Sequence, residues 1–319
     1  MRATRAERIE GALFRGATLT LENLEYSRAL RTFLNVLVKA DVSPEDLTAK
    51  ALGIKERPAL ASIVARESGV AAGLAEFAFL LRSHGIAVRF EKQDGVGISA
   101  GDTLLYADGE ESKLLTLERV GLNLLQRMSG IATASRAMQE RVSRQSSRAR
   151  VVGTRKTPWG MLDKRALHLG NGGTHRLGLG DAIVIKNNHL TLLASREEDA
   201  APIAIERAWK RREDAAFIEV EVRGEAAARA AAQSFKRLQA EAAEEYPCLV
   251  MLDNMAAQKM CAIVKMLQQE ELWDATLIEA SGGIAEENVE GYAAAGVDAI
   301  SIGALTHSVK ALDICQRIS

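Results

Sequence analysis

The sequence predicts an α/β chain in two parts, and three observations carry that prediction. Six apolar runs rich in Val and Ile, at 149–155, 182–186, 217–222, 248–253, 277–281 and 299–303, alternate with helical patterns. That is the signature of a parallel sheet covered by helices. Upstream, strand and helix patterns mix without strict alternation. One long helical pattern, 118–142, separates the two regimes. Six strand–helix units in so short a stretch point to a small or incomplete α/β barrel. An open doubly wound sheet is the alternative, because sequence alone does not close a sheet.

Residues 23–40 have the apolar spacing of an amphipathic helix. SPEDLTAKALG (43–53) reads as a capped turn into a short segment. Residues 61–67 have strand chemistry, and 69–85 form an Ala/Leu-rich helix that Gly85 ends. Residues 86–92 and 102–108 are strand candidates separated by glycine turns. The alanine-rich, charged stretch 225–247 reads as one solvated helix over the barrel. The opening residues, MRATRAERIEGALFRG, lack the apolar stretch of a signal peptide and read as a plain tail or helix.

Bulk properties exclude several function classes. The chain has 319 residues, of which 47% are hydrophobic and 26% charged, enough apolar material for a sizeable core. A net charge of −1 gives no general pull toward nucleic acid or membrane. An aromatic content of 4% is poor for base stacking. No apolar run approaches the ~20 residues of a membrane span. Cys248, Cys261 and Cys315 show neither metal-ligand spacing nor a disulfide framework. The expected address is a reducing cytoplasm.

Chemistry in α/β barrels sits at the carboxyl ends of the strands. Here those ends carry Arg155 and Lys156, then Lys186, Asn188 and His189, then Glu219 and Glu221. Asp253 and Asn254, Ser281 to Gly283, and Gly303 with His307 follow. Between 144 and 189 nine Arg and Lys residues face only Asp163 and Asp181. A cleft of one sign concentrates a counter-charged ligand, and arginine suits planar carboxylates and phosphates. Arg144, Arg148 and Arg150 read as surface charge, whereas Arg155, Arg176 and Lys186 read as pocket cations. The glycine-rich segment 170–181 carries His175 and Arg176. The loops at 281–283 and 303 occupy the usual phosphate position after the last two strands. Glu219 and Glu221 face one side of a strand. Acids beside a phosphate-bearing ligand suggest Mg²⁺ or ribose hydroxyl contacts.

Taken in order, TRKTPWG (154–160), HRLGLGDAIVIKNNHL (175–190), IEVEV (218–222), MLDN (251–254), ASGGI (280–284) and SIGALTHS (301–308) resemble quinolinate phosphoribosyltransferases. DLTAKAL (46–52), ARESGVAAGL (65–74), GDTLL (101–105) and ERVGLNLLQRMSGIAT (118–133) agree, so the resemblance spans residues 24–316. It implies an N-terminal α+β sandwich domain over 1–123, joined by the C-terminal segment 307–319. It implies an incomplete, six- or seven-stranded α/β barrel of the type II phosphoribosyltransferase kind over 124–306. The implied reaction converts quinolinate and phosphoribosyl pyrophosphate, with Mg²⁺, to nicotinate mononucleotide, pyrophosphate and CO₂ in NAD biosynthesis. The implied assembly is a homodimer, or a higher even oligomer, in which each N-terminal domain faces the partner's barrel.

By motif, Arg119 is expected to reach the partner's pocket and to bind quinolinate with Arg155, His175, Arg176 and Lys186. Lys156, Glu221 and Asp253 are the implied catalytic residues. With Ser281, Gly282, Gly303 and His307 they are also the implied phosphoribosyl pyrophosphate site. Glu221 and Asp253 are the implied Mg²⁺ contacts, direct or through water. The pattern departs in three places, none of which removes a cation. TRKTPWG stands for TRKTxPG, with a shorter segment before His175. Gly173 and Thr174 stand where the family usually has asparagine, often after histidine. Asn187 replaces the acid of KDNH. These changes bear on the pyridine pocket, so a same-fold enzyme of the molybdenum-operon type with a different substrate is one alternative. A non-catalytic anion-binding homologue is the other, and it would be expected to lose Lys156, Glu221 or Asp253.

Overall fold

The computed structural model describes residues 4–42, 45–54 and 57–319. The first two residues of the turn expected at 43–53, and the first three of the chain, lie outside these. The chain folds as two compact units. One comprises Met1–Arg15, Ala137–Gly160 and Gly172–His307, and the other Gly16–Arg136, Met161–Asn171 and Ser308–Ser319. No helix among the described residues is long and apolar enough to cross a membrane.

Helix α1 (Arg5–Leu13) opens on a capping box. Thr4 Oγ1 accepts the Glu7 N–H at 3.2 Å, and the Glu7 carboxylate accepts the Thr4 N–H at 2.7 Å. Its place is in the barrel unit, described below. In the other unit, α2 (Leu24–Asp41) starts at Asn23, whose side chain accepts the N–H groups of Glu25 and Tyr26. Its spacing buries Tyr26, Leu30 and Leu34 on one face. The short α3 (Leu47–Leu52) is capped by Asp46. Then follow β1 (Pro58–Ala65), β2 (Gly69–Val70), α4 (Leu74–Ser83), β3 (Ala87–Phe90), β4 (Gly97–Ile98), β5 (Thr103–Glu110) and α5 (Glu111–Gln145). The helix expected at 69–85 starts late, because Gly69 and Val70 pair with β4 and Gly73 turns the chain at φ 94°.

A buried ionisable pair gives this unit a pH signature. The Tyr26 hydroxyl donates to Glu76 at 2.8 Å, and Glu76 is 1% exposed. Burial, then the nearby Asp94, pushes the Glu76 carboxyl up to about 7. A raised folded-state pKa means that the folded protein binds the proton more tightly than the unfolded chain. The resulting stability is present in full below the unfolded value of about 4.3 and is lost as pH rises through about 7. Glu76→Gln removes this dependence. Between pH 5 and pH 8, urea unfolding should show the wild type losing stability relative to Glu76→Gln, by on the order of 3 kcal/mol at most. A difference that is flat with pH would show that Glu76 is not held protonated.

The barrel unit supplies β6 (Arg150–Val152), β7 (Ile183–Ile185), α7 (Asn187–Leu190), α8 (Glu197–Trp209), β8 (Ile218–Val222), α9 (Glu225–Ala242), β9 (Cys248–Asp253), α10 (Ala257–Gln269), β10 (Leu277–Ser281), α11 (Val289–Ala294), β11 (Ala299–Ser301) and α12 (Ala304–His307). Helix α6 (Met161–Leu169) and strand β12 (Ile314–Ile318) fall in the other unit. There, β12 pairs antiparallel with β1 in the four-stranded order β12-β1-β5-β3. The six barrel strands pair in the order β6-β11-β10-β9-β8-β7, every pair parallel. This order follows the chain round without the reversal of a doubly wound sheet. Gly173 bridges to Val152 beside the open edge of β6.

Helix α1 fills the strand-start end. Ile9, Ala12 and Leu13 form one cluster with Val152, Val184, Leu249, Leu277 and Ala299, which come from both edge strands and from β9, β10 and β11, and with Ala182 and Phe217 just ahead of β7 and β8. Strands at the two edges of a flat sheet could not share such a cluster, so the sheet curves into an incomplete barrel around α1. Arg5 pins the helix by donating to both oxygens of the buried Asp298 at 2.6 Å. The division at 123/124 expected from the sequence therefore differs from the observed one in three respects. The first fifteen residues join the barrel unit because α1 buries its apolar face there. The boundary within α5 falls after Arg136. Helix α6 joins the other unit, where buried Asp163 accepts from Arg127 at 2.9 and 2.8 Å. The alanine-rich α9 ends at Ala242 and is half-buried, with Ala227, Ala228, Ala231, Ala232 and Phe235 in the core.

Candidate active site

The carboxyl ends of the barrel strands and the barrel interior beneath them gather charged residues in three groups. The first is cationic. Lys186, at the end of β7, donates to Glu221 Oε2 at 2.7 Å. Burial works against the lysine's charge, but Glu221 outweighs it and holds its pKa above the usual value. Arg176 is buried, with 8% of its surface exposed, and donates to the Ala182 carbonyl at 3.3 Å. Burial, then the neighbouring Arg155 guanidinium, lowers its pKa. A buried guanidinium beside a second one is a place for an added anion. Arg176 is thus an enclosed cation, because the loop after Gly173 turns into the barrel.

The second group is a histidine between two acids. His175 Nε2 lies 3.1 Å from Glu219 and 3.3 Å from Glu279, both fully buried. Its ring meets Phe217 edge-on, with centroids 5.4 Å apart. Burial opposes protonation of the imidazole, but Glu279 and Glu219 outweigh it and pull the pKa up to about 9. Burial, and then Glu279, pushes Glu219 up to about 7. Burial also works against the charge on Glu279, but His175 and Ser301, the latter donating at 2.5 Å, hold that carboxyl low. The Arg176 N–H points at His175 Nδ1 at 2.7 Å. Of the two neutral forms this bond fits the Nε2–H tautomer, and the second proton that the acids favour would have to displace it. His175 adopts φ 53°, a left-handed conformation that costs about 1–2 kcal/mol outside glycine. Both ring nitrogens are engaged, Nδ1 by the Arg176 N–H and Nε2 between Glu219 and Glu279. Glu219 is correspondingly the partner of His175. Glu279 and Ser301 escaped the sequence reading, although a lone acid inside the apolar run LIEAS was the available signal.

The third group is suited to phosphate. Lys156 and His307 converge on Gly303: a Cβ there would stand 3.1 Å from the His307 ring and 3.3 Å from the Lys156 chain. Thr306 ties the two segments by donating to the Lys156 carbonyl at 2.8 Å. Ser281 and Gly282 end β10. Gly282 has φ 94°, and a Cβ would collide with the Asn254 side chain and stand 2.8 Å from its backbone nitrogen. Asp253, at the end of β9, accepts from Asn254 at 2.8 Å and lies 3.8 Å from Arg223.

Arg119 stands on α5 in the other unit, exposed and 3.9 Å from Glu118. Arg148 is more than surface charge, since its Nε lies 3.2 Å from the buried Asp298. Arg150 pairs with Glu10 at 3.2 Å. With its amide turned to donate to Glu197 at 3.1 Å, Asn187 accepts from Arg223 at 3.1 and 3.3 Å. A carboxylate at 187 would instead face Glu197. Glu221 and Asp253 offer the hard oxygens that Mg²⁺ prefers, but Lys186 already holds one oxygen of Glu221. The pair fits an ion carried mainly by substrate phosphates and water. His175, Glu219 and Glu279 also lie close enough for a metal, but there the imidazole already faces both acids. A cavity of about 890 Å³ lined by Lys236, Gln239, Glu271 and Trp273 lies toward the strand starts, away from these groups.

Comparison with known proteins gives the same family over both units. Residues 131–316 match the family model "Quinolinate phosphoribosyl transferase, C-terminal domain", and residues 46–129 match its N-terminal counterpart. A "Probable nicotinate-nucleotide pyrophosphorylase (carboxylating)" of Methanothermobacter thermautotrophicus is 34% identical over 284 residues, covering 88% of this chain and 96% of that protein. The nicotinate-nucleotide pyrophosphorylase (carboxylating) of Mycobacterium leprae is 38% identical over 261 residues, covering 79% and 84%. The crystal structure of NadC from Streptococcus pyogenes superposes with a TM-score of 0.77 at 30% identity, covering 91% of this chain and 96% of that one. With both of its domains matched and relatives aligned over nearly their whole length, the chain belongs to the quinolinate phosphoribosyl transferase family.

Proposed function

We propose that this chain is a quinolinate phosphoribosyltransferase that makes nicotinate mononucleotide for NAD biosynthesis. The observation that carries this reading is the buried Arg176, in the same unit as Arg155, Lys186 and a phosphate-suited group. Relatives named nicotinate-nucleotide pyrophosphorylase (carboxylating) support it. Arg155, Arg176 and Lys186 bind the two adjacent carboxylates of quinolinate through charge-assisted hydrogen bonds. That aims the ring nitrogen at the anomeric carbon of the ribose, which is catalysis by positioning. The N–C bond forms as the bond to pyrophosphate breaks. Lys156 neutralises the departing pyrophosphate, with Ser281, Gly282, Gly303 and His307 around the phosphates. Glu221 and Asp253 hold ribose hydroxyls. Mg²⁺, where bound with the phosphates near these two acids, supplies further charge neutralisation. The carboxylate next to the now cationic nitrogen leaves as CO₂. Its electron pair stays on the ring carbon, stabilised by that nitrogen, until a proton from water replaces it.

The test is a product balance. Purified protein with quinolinate, phosphoribosyl pyrophosphate and Mg²⁺ should release one CO₂ per mononucleotide formed. Mononucleotide without CO₂, or no turnover, would contradict the assignment. We place the working enzyme in the cytoplasm, as free Cys248, Cys261 and Cys315 suit a reducing compartment.

The reading also includes a homodimer, or higher even assembly, in which exposed Arg119 reaches into the partner's pocket. Arg119→Ala and Lys156→Ala subunits, each inactive alone, should on random mixing recover about a quarter of wild-type activity, because half the dimers are mixed and each has one intact site. Mixed dimers with no activity would rule out the shared pocket.

A further inference from the structure

Residues before 46 lie outside both family matches, and Gly173 and Thr174 stand immediately before His175 and Arg176. The end of α1 fits against these two residues. The Leu13 carbonyl accepts the His175 N–H at 3.0 Å and the Thr174 hydroxyl at 3.1 Å. The Arg15 N–H donates to the same hydroxyl at 3.1 Å. A Cβ at Gly173 would stand 2.5 Å from Val152 Cγ1, 3.0 Å from the Phe14 ring and 3.1 Å from the Leu13 carbonyl, so a larger side chain there would crowd both β6 and the segment. The Arg15 guanidinium then reaches Asp181 at 3.0 Å, and the other oxygen of Asp181 accepts the Leu177 N–H at 2.7 Å. Leu13–Arg15 therefore grips the loop on both sides of Arg176 and holds His175 in its left-handed conformation.

We propose that Leu13–Arg15, with Gly173 and Thr174 as its receptor, is a positioning segment that sets Arg176 for the substrate dicarboxylate. This rests on the functional reading above. Thr174→Val keeps the side-chain shape and removes the hydroxyl. It should raise the KM for quinolinate about fivefold, within the range of one buried hydrogen bond. The kcat and the KM for phosphoribosyl pyrophosphate should stay at wild-type values, and Thr174→Ser should restore the quinolinate KM. Should Thr174→Val fail to fold, Arg15→Ala decides, with the same selective rise expected. Wild type is assayed alongside. An inactive wild type would overturn the functional reading itself. An active wild type with variants that keep its quinolinate KM, or that shift kcat and both KM values together, would overturn the positioning claim.

Discussion

Replacing Arg176 by alanine is expected to weaken quinolinate binding by at least about tenfold, because a charge-assisted hydrogen bond contributes roughly 1.5–3 kcal/mol. The buried setting of this guanidinium argues for the upper part of that range. It already lacks bulk water, and its neighbour Arg155 repels it until an anion arrives. The substitution also removes that repulsion in the free protein, so folding should survive. Arg148→Ala is the matched control with a different expected signature. Its partner is the buried Asp298 near α1, so it should cost stability and leave quinolinate affinity unchanged. Calorimetric titration of both variants, with circular dichroism for folding, separates the two. Equal losses of affinity would mean that Arg176 is not a pocket cation.

Lys156→Ala is expected to lower kcat by about a hundredfold or more, the effect typical of losing one preorganised charge aimed at developing negative charge. The side chain is exposed and lies against Gly303 next to His307, so its loss should not disturb the barrel. Quinolinate affinity should change little, because Lys156 belongs to the phosphate group of residues and Arg155 and Arg176 to the carboxylate group. Steady-state kinetics with each substrate varied in turn will show this. A large rise in the quinolinate KM with kcat preserved would transfer Lys156 to the pyridine pocket.

The barrel strands were legible because each is a short apolar run whose boundaries carry turn residues. Cys248–Asp253 and Leu277–Ser281 match their expected spans. The incomplete barrel was expected from the six strand–helix units and from the resemblance. What packs inside it was not legible, because α1 has its capping residues Thr4 and Glu7 in plain sight but an apolar face of Ile9, Ala12 and Leu13 too short to announce where it packs. The strand-end charges were legible by position, and the structure pairs Lys186 with Glu221 and sets Lys156 beside Gly303. Depth was not. Nothing in GNGGTHRLG says that His175 turns inward between Glu219 and Glu279, because the turn depends on the Leu13 carbonyl, far away in sequence. For the same reason, the departures at Gly173 and Thr174 looked like changes to a substrate pocket. In the structure they are the complement of α1.

The central claim is that the pocket is built for two carboxylates, and one comparison tests it most directly. The kcat/KM of the wild-type protein is measured for quinolinate and for nicotinate, with phosphoribosyl pyrophosphate and Mg²⁺ held constant. Nicotinate lacks the carboxylate next to the ring nitrogen, so it would leave part of the Arg155, Arg176 and Lys186 set unpaired, around an Arg176 that is itself buried. A site built around such groups rejects the analogue strongly, and the account predicts a preference for quinolinate of at least about a hundredfold. Comparable values for the two acids would contradict it.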